Sequence, residues 1–114
     1  MRNCRGTIGT AIGSVRCQSY GNLEYITVDG MSNDGTEEEI RKNTTVITQS
    51  IRESDTGIYD ALNKGLRAAT GDVIGFLHAD DFFASEHVIS RIASEFQSGD
   101  LDVVYGDLVY VKAN

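Results

Sequence analysis

The chain has 114 residues, enough for one domain with a modest core and too few to argue for two. Seventeen acidic against ten basic residues leave a net charge of -7, which excludes a partner such as nucleic acid, whose phosphate backbone needs a basic face, but not a small anion bridged by a metal ion. Hydrophobic content of 40% with 24% charged residues is that of an ordinary globular protein, and the absence of proline leaves no Pro-rich linker or hinge.

Residues 1–6 lack apolar periodicity and read as a leader or frayed end. Over 7–18, Ile8, Ala11, Ile12 and Val15 recur at helical spacing and predict a helix with one buried stripe, weakened by Gly9 and Gly13. Cys4 and Cys17 make no close-spaced metal motif. With no secretory leader and no transmembrane run in the sequence, they predict reduced thiols in a cytosolic compartment. A turn at Tyr20-Gly21-Asn22 leads into LEYITVD (23–29), a strand rich in aromatic and β-branched residues that ends on the carboxylate of Asp29.

The polar loop GMSNDGT follows, and Thr36 with Glu39 predicts the capping box of a short helix to about residue 43. A short strand is expected over 44–48, and QSIRESDTG (49–57), with no period of its own, reads as a surface loop beside the site. Helical spacing resumes over 58–69 through Ile58, Ala61, Leu62, Leu66 and Ala69, with Gly71 as stop signal. Val73, Ile74, Phe76 and Leu77 then have the composition of a strand covered on both faces, and the run ends on Asp80 and Asp81. Ser85 is the expected N-cap of a helix over 86–97 with Val88, Ile89, Ile92 and Phe96 facing the core, and a last strand is expected over 102–105, with 107–111 continuing it or turning beside it.

Alternating helices and strands predict an α/β domain with a mainly parallel sheet, in which two strand ends, at Asp29 and at Asp80 and Asp81, meet at one edge. Ligands bind at that edge of open α/β sheets, and two adjacent carboxylates repel unless a cation or shared proton lies between them, so the acidic pair asks for a divalent metal. Neither a P-loop nor a Rossmann glycine fingerprint is present. Asp80-Asp81-Phe82-Phe83 lacks the hydroxyl of a phosphoaspartate phosphatase motif, and the layout does not match a response-regulator receiver.

Three segments, SVRCQSYGNLEYITVDGMSNDGT (14–36), ESDTGIYDALNKGLRAATGDVIGFLHADDFF (53–83) and DVVYGD (102–107), resemble the amino-terminal half of a family 2 glycosyltransferase of the bacterial polysaccharide-biosynthesis branch. The resemblance implies an incomplete three-layer GT-A fold occupying 1–114 as one partial domain, with a nucleotide-sugar lying across the strand ends. It places Asp29 at the base or ribose, with Ser32 and Asp34 on the loop beside it, and it lifts Asn63 and Lys64 as part of the Asn-Lys-Gly signature. Asp80 and Asp81 fall on the acidic motif that holds the diphosphate through Mn2+ or Mg2+, whose preference for hard oxygen ligands fits.

Two positions depart from the family pattern. Asp29-Gly30-Met31-Ser32 stands where many relatives have Asp-Asp-Gly-Ser, and His78 stands at the first Asp of the common Asp-x-Asp motif, where it is a further candidate ligand. The resemblance also implies a UDP- or GDP-sugar donor and a saccharide or lipid-linked acceptor. It implies a cytoplasmic enzyme, or one peripheral to the inner membrane. Both a central strand between those bearing Asp29 and Asp80 and the acceptor half with its catalytic base are expected to lie outside this sequence. On that expectation the isolated chain is inactive or a non-catalytic nucleotide- and metal-binding module, and its exposed sheet edges favour a homodimer.

Overall fold

A computed structural model describes residues 5–99. The elements are α1 (Arg5–Arg16), β1 (Ile26–Asp29), α2 (Thr36–Arg41), β2 (Gln49–Arg52), α3 (Ile58–Ala68) and α4 (Val88–Ser98). The strand expected over 102–105 and its continuation lie outside the described residues.

In α1, Ile8, Ala11, Ile12 and Val15 are all buried, as their spacing requires. Gly9 is exposed and off that stripe, so it does not interrupt the packing. Ile8, Ile12 and Ile40 of α2 form the core, with Tyr25, Ile47 and Ala79 packed against them. Burial pushes the Tyr25 hydroxyl pKa up.

β1 and β2 run parallel, with Ile26 opposite Gln49 and Asp29 opposite Arg52. Side chains alternate across the sheet. Val28 faces α3, where the missing β-carbon of Gly65 lets the helix approach. Thr27 and Asp29 point to the other face and are buried there. Helices on both faces of a parallel pair make the three-layer α/β arrangement that the element order predicts.

Four expectations are corrected. Residues 42–46 form turns instead of a strand, closed by Val46 and Ile47 N–H groups donating to the Asn43 carbonyl, and the strand is QSIR (49–52), read as loop from sequence. β2 is an edge strand whose residues other than Ile51 are exposed, so it carries no hydrophobic alternation to betray it. At α2 the N-cap is Gly35 with φ 99°, which glycine adopts without strain, and the Asp34 carboxylate takes the Thr36 N–H. The Thr36–Glu39 box does not form, and Glu39 pairs with Lys42 instead. At α4 the N-cap is His87, and the Ser85 hydroxyl accepts the His87 N–H just ahead of the helix.

The fourth correction concerns residues 73–77, which make no strand. Val73, Ile74 and Phe76 are 50%, 43% and 55% exposed, opposite to burial on both faces. A strand exists only as a paired strand, and among the described residues the sheet has two members, β1 and β2, paired with each other and not with this segment. Its flanks are nonetheless tied down. Thr70 donates its N–H and hydroxyl to the Glu24 carboxylate at 2.9 and 2.7 Å, lowering the pKa of Glu24. Beyond it, Ser19 N–H donates to the Glu86 carbonyl, and Gln18 bonds both Ser85 and the Ile89 N–H. The stripe of α3 is also thinner than its spacing suggests: Ala61 is buried, whereas Ile58 and Leu66 are exposed.

Candidate functional site

At the carboxyl end of β1 the chain turns sharply through Gly30 and Met31. Gly30 is buried so tightly against the Asp55 carboxylate that a β-carbon there would overlap it. Met31 holds φ 64°, a left-handed conformation that costs a non-glycine residue about 1 kcal/mol and persists only where neighbours enforce it. The enforcement is visible. Ser32 donates its N–H and hydroxyl to Asp29 Oδ1 at 3.2 and 2.5 Å, and Arg52 Nη1 donates to the Met31 sulfur at 3.3 Å and Nη2 to the Ser32 carbonyl at 3.0 Å.

Asp29 is 1% exposed, and its Oδ2 accepts no hydrogen bond. The nearest cation is Arg52, with Nε 3.6 Å from that oxygen and 3.1 Å from Glu37 Oε2. Glu37 in turn takes Arg41 at 2.5 Å, giving a chain of alternating charges from α2 across the ends of both strands. An open cleft of about 400 Å3 is lined by Asp29, Glu37, Ile40, Thr48, Ser50 and Arg52 among others.

Asp34 serves the loop's far end. It accepts the Thr36 N–H and hydroxyl and the Arg5 N–H, and its pKa is lowered, the Thr36 hydroxyl contributing most.

The loop at 53–57 closes against the same strand ends, with Glu53 N–H donating to the Asp29 carbonyl and Gly57 N–H to Asp55. Lys64, reaching up from α3, donates to the Ser54 carbonyl at 2.5 Å and pairs with Glu53 and Asp60, each at 3.3 Å. Desolvation opposes its charge, but these hydrogen bonds and charges outweigh it and raise its pKa. Asp60 is lowered, first by the Thr56 N–H it accepts. Asn63 is exposed on α3.

His78, Asp80 and Asp81 lie on an exposed turn closed by the Asp81 N–H donating to the His78 carbonyl, and Ala79 between them is seated against the core. None of them lines the cleft beside Asp29. Among the described residues no three His, Cys, Asp or Glu side chains are grouped to hold a metal ion by themselves. Arg52 is a site residue that the sequence, read as a surface loop over 49–57, does not single out. The signal for it is its register opposite Asp29, visible only once β2 is recognised.

Helices packed around a parallel pair, with acidic loops at its carboxyl end, make an incomplete α/β domain with a ligand-facing strand edge. The profile described as Glycosyl transferase family 2 matches residues 1–114, and the chain belongs to that family. It is 31% identical over 118 residues to a PGL/p-HBAD biosynthesis glycosyltransferase of Mycobacterium tuberculosis, covering 98% of this chain and 45% of that protein. An uncharacterized glycosyltransferase of Nostoc sp. is 32% identical over 94% of this chain and 34% of its own. Among solved structures, a mannosyltransferase from Pyrobaculum calidifontis in complex with GDP-Man and Mn2+ superimposes with a TM-score of 0.76 at 25% identity, over 82% of this chain and 29% of its own. The chain therefore spans less than half the length of these relatives, and its fold is an incomplete GT-A fold.

Proposed function

We propose that this chain is the donor- and metal-binding part of an inverting, nucleotide-sugar-dependent glycosyltransferase that acts in bacterial polysaccharide or glycan biosynthesis. The donor is a UDP- or GDP-sugar and the acceptor a saccharide or lipid-linked glycan. The observation that carries the reading is the seating of Ala79 against the Ile8, Ile12 and Ile40 core, which fixes the acidic turn while leaving both carboxylates open to solvent. The fold match to a transferase holding GDP-Man and Mn2+ supports the donor class.

Asp80 and Asp81 fit a Mn2+ or Mg2+ ion. They are adjacent, exposed hard oxygen donors, and an ion of this kind is held by one or two carboxylates together with substrate phosphates and water. His78 on the same turn is a third candidate. The chemistry such an ion supplies is neutralisation of charge on the departing nucleoside diphosphate. The remaining residues hold the pocket's shape: Asp29 and Ser32 fix the loop after β1, Asp34 caps α2, and Lys64 pins the 53–57 loop while Asn63 stands exposed beside it. Deprotonation of the acceptor hydroxyl is assigned to a base outside this chain.

Titrating GDP, and separately UDP, into the 114-residue chain by calorimetry with and without Mn2+ tests the reading. Metal-dependent heat with one of them is expected, and no heat with either would overturn it.

A further inference from the structure

We propose that Gln18 is a positioning residue for the acidic turn. Its side-chain amide ties the end of α1 to the chain on the far side of Asp80 and Asp81, and so sets where the two carboxylates stand. The proposal rests on the donor- and metal-binding reading above and goes beyond it by naming a residue, distant in sequence, that acts through the acidic pair.

The amide of Gln18 is used on both sides. Nε2 donates to the Ser14 carbonyl at 3.1 Å and to the Ser85 carbonyl at 2.7 Å, and Oε1 accepts the Ile89 N–H at 3.0 Å. One orientation of the amide satisfies these contacts, because turning it over would set Oε1 against two carbonyls and Nε2 against an N–H. Ile89 lies in the first turn of α4, where N–H groups have no partner within the helix. The N-cap residue His87 supplies no side-chain bond there, so the cap comes instead from a residue 71 positions earlier in the chain. Beside it the Ser19 N–H donates to the Glu86 carbonyl at 2.8 Å.

The other side of the turn is held by Ala79, which packs against the core that Ile8 and Ile12 of α1 form with Ile40. Gln18 follows α1 directly, so the stretch from Ala79 to Ser85 is anchored at both ends to one helix and its continuation. Asp80 and Asp81 lie between the anchors and are exposed. Within the turn the Asp81 N–H donates to the His78 carbonyl at 3.0 Å, a short-range bond that shapes the turn but does not fix where it sits on the domain. The two anchors do that. A segment fixed at both ends before a ligand arrives loses less freedom when it binds, which is how Gln18 contributes to affinity without touching metal or nucleotide.

Calorimetric titration of GDP, and separately UDP, into the 114-residue chain in Mn2+ tests this, with the circular dichroism and unfolding midpoint of every variant measured alongside. Q18M keeps the length of the side chain and removes both polar atoms. It is expected to weaken affinity about tenfold, the scale of losing one hydrogen bond, at a temperature where its circular dichroism matches that of the wild type. A covalent tie supplies the rescue. The backbones of residues 19 and 86 already meet at 2.8 Å, so cysteines placed there join the same two segments. In Q18M/S19C/E86C, carrying C4S and C17S so that no other thiol competes, closing the disulfide is expected to restore affinity and reducing it to remove it again. Recovery of the unfolding midpoint without affinity would show that Gln18 serves stability alone and overturn the proposal. Absence of metal-dependent heat from the wild-type chain overturns the donor reading and the proposal with it, whereas heat that Q18M leaves unchanged overturns the proposal alone.

Discussion

Gly30 lies against the carboxylate of Asp55, so that the loop leaving β1 and the loop leaving β2 meet where residue 30 has no side chain. A methyl group at residue 30 must push Asp55 away, and Asp55 in turn holds the Gly57 N–H at the start of α3. G30A is therefore expected to loosen the 53–57 loop and weaken nucleotide binding, with little loss of helix content. Removing the obstacle in G30A/D55A should restore part of the affinity. If the double variant binds no better than G30A, the overlap is not the cause.

Ile12 is fully buried among Ile8 and Ile40. Truncation in I12A leaves a cavity between α1 and α2 and is expected to cost about 3 kcal/mol in urea unfolding, within the usual range for such changes. A loss below about 1 kcal/mol would mean that the two helices close over the gap.

The acidic turn makes a contrasting prediction. Asp81 is exposed and only its backbone N–H is engaged within the turn, so D81A is expected to leave the unfolding midpoint unchanged while abolishing metal-dependent heat with GDP or UDP. Chelation of the metal should reproduce the effect in the wild-type chain. Retained Mn2+-dependent binding in both D81A and D80A would remove the pair from the site.

The Lys64–Asp60 tie gives a pH dependence of known sign. The pKa of Asp60 is lowered from its ordinary 3.8, so its contribution is fully present above that pH and is lost as pH falls through the depressed value. Lys64 is raised from 10.5, so its contribution is present below that pH and is lost only as pH rises through the raised value. The difference in unfolding midpoint between wild type and D60N should be open at pH 7 and narrow steadily below 3.8. A difference that stays constant down to the lowest pH at which the chain folds would show that the carboxylate charge is not what stabilises the loop.

The parts of this fold that were legible from sequence are those fixed by local chemistry. The α1 stripe is an example, because Ile8, Ala11, Ile12 and Val15 can be buried together only on a helix. The end of β1 is another, since a β-branched run stopping on Asp29 signals a strand entering a loop. β2 was illegible because Gln49, Ser50 and Arg52 face solvent at a sheet edge, where pairing alone makes the strand. Residues 73–77 misled in the opposite sense, since apolar content predicts burial but the described residues offer this run no neighbouring strand. Arg52 escaped for a related reason: its meaning lies in the residue opposite it, and register cannot be read from either strand alone.

The parallel pair has one more consequence, for the order in which the molecule forms. Thr27 and Ser50, which share a hydrogen bond across the ladder, are 23 residues apart in the chain, with α2 folding in between. Loop closure over so short a distance is cheap, and helices that nucleate inside the loop shorten it further. During synthesis, residues 26–52 are complete before Asp80 is made. The strand end with its buried carboxylate and covering arginine can thus assemble as an early unit onto which the acidic turn later docks.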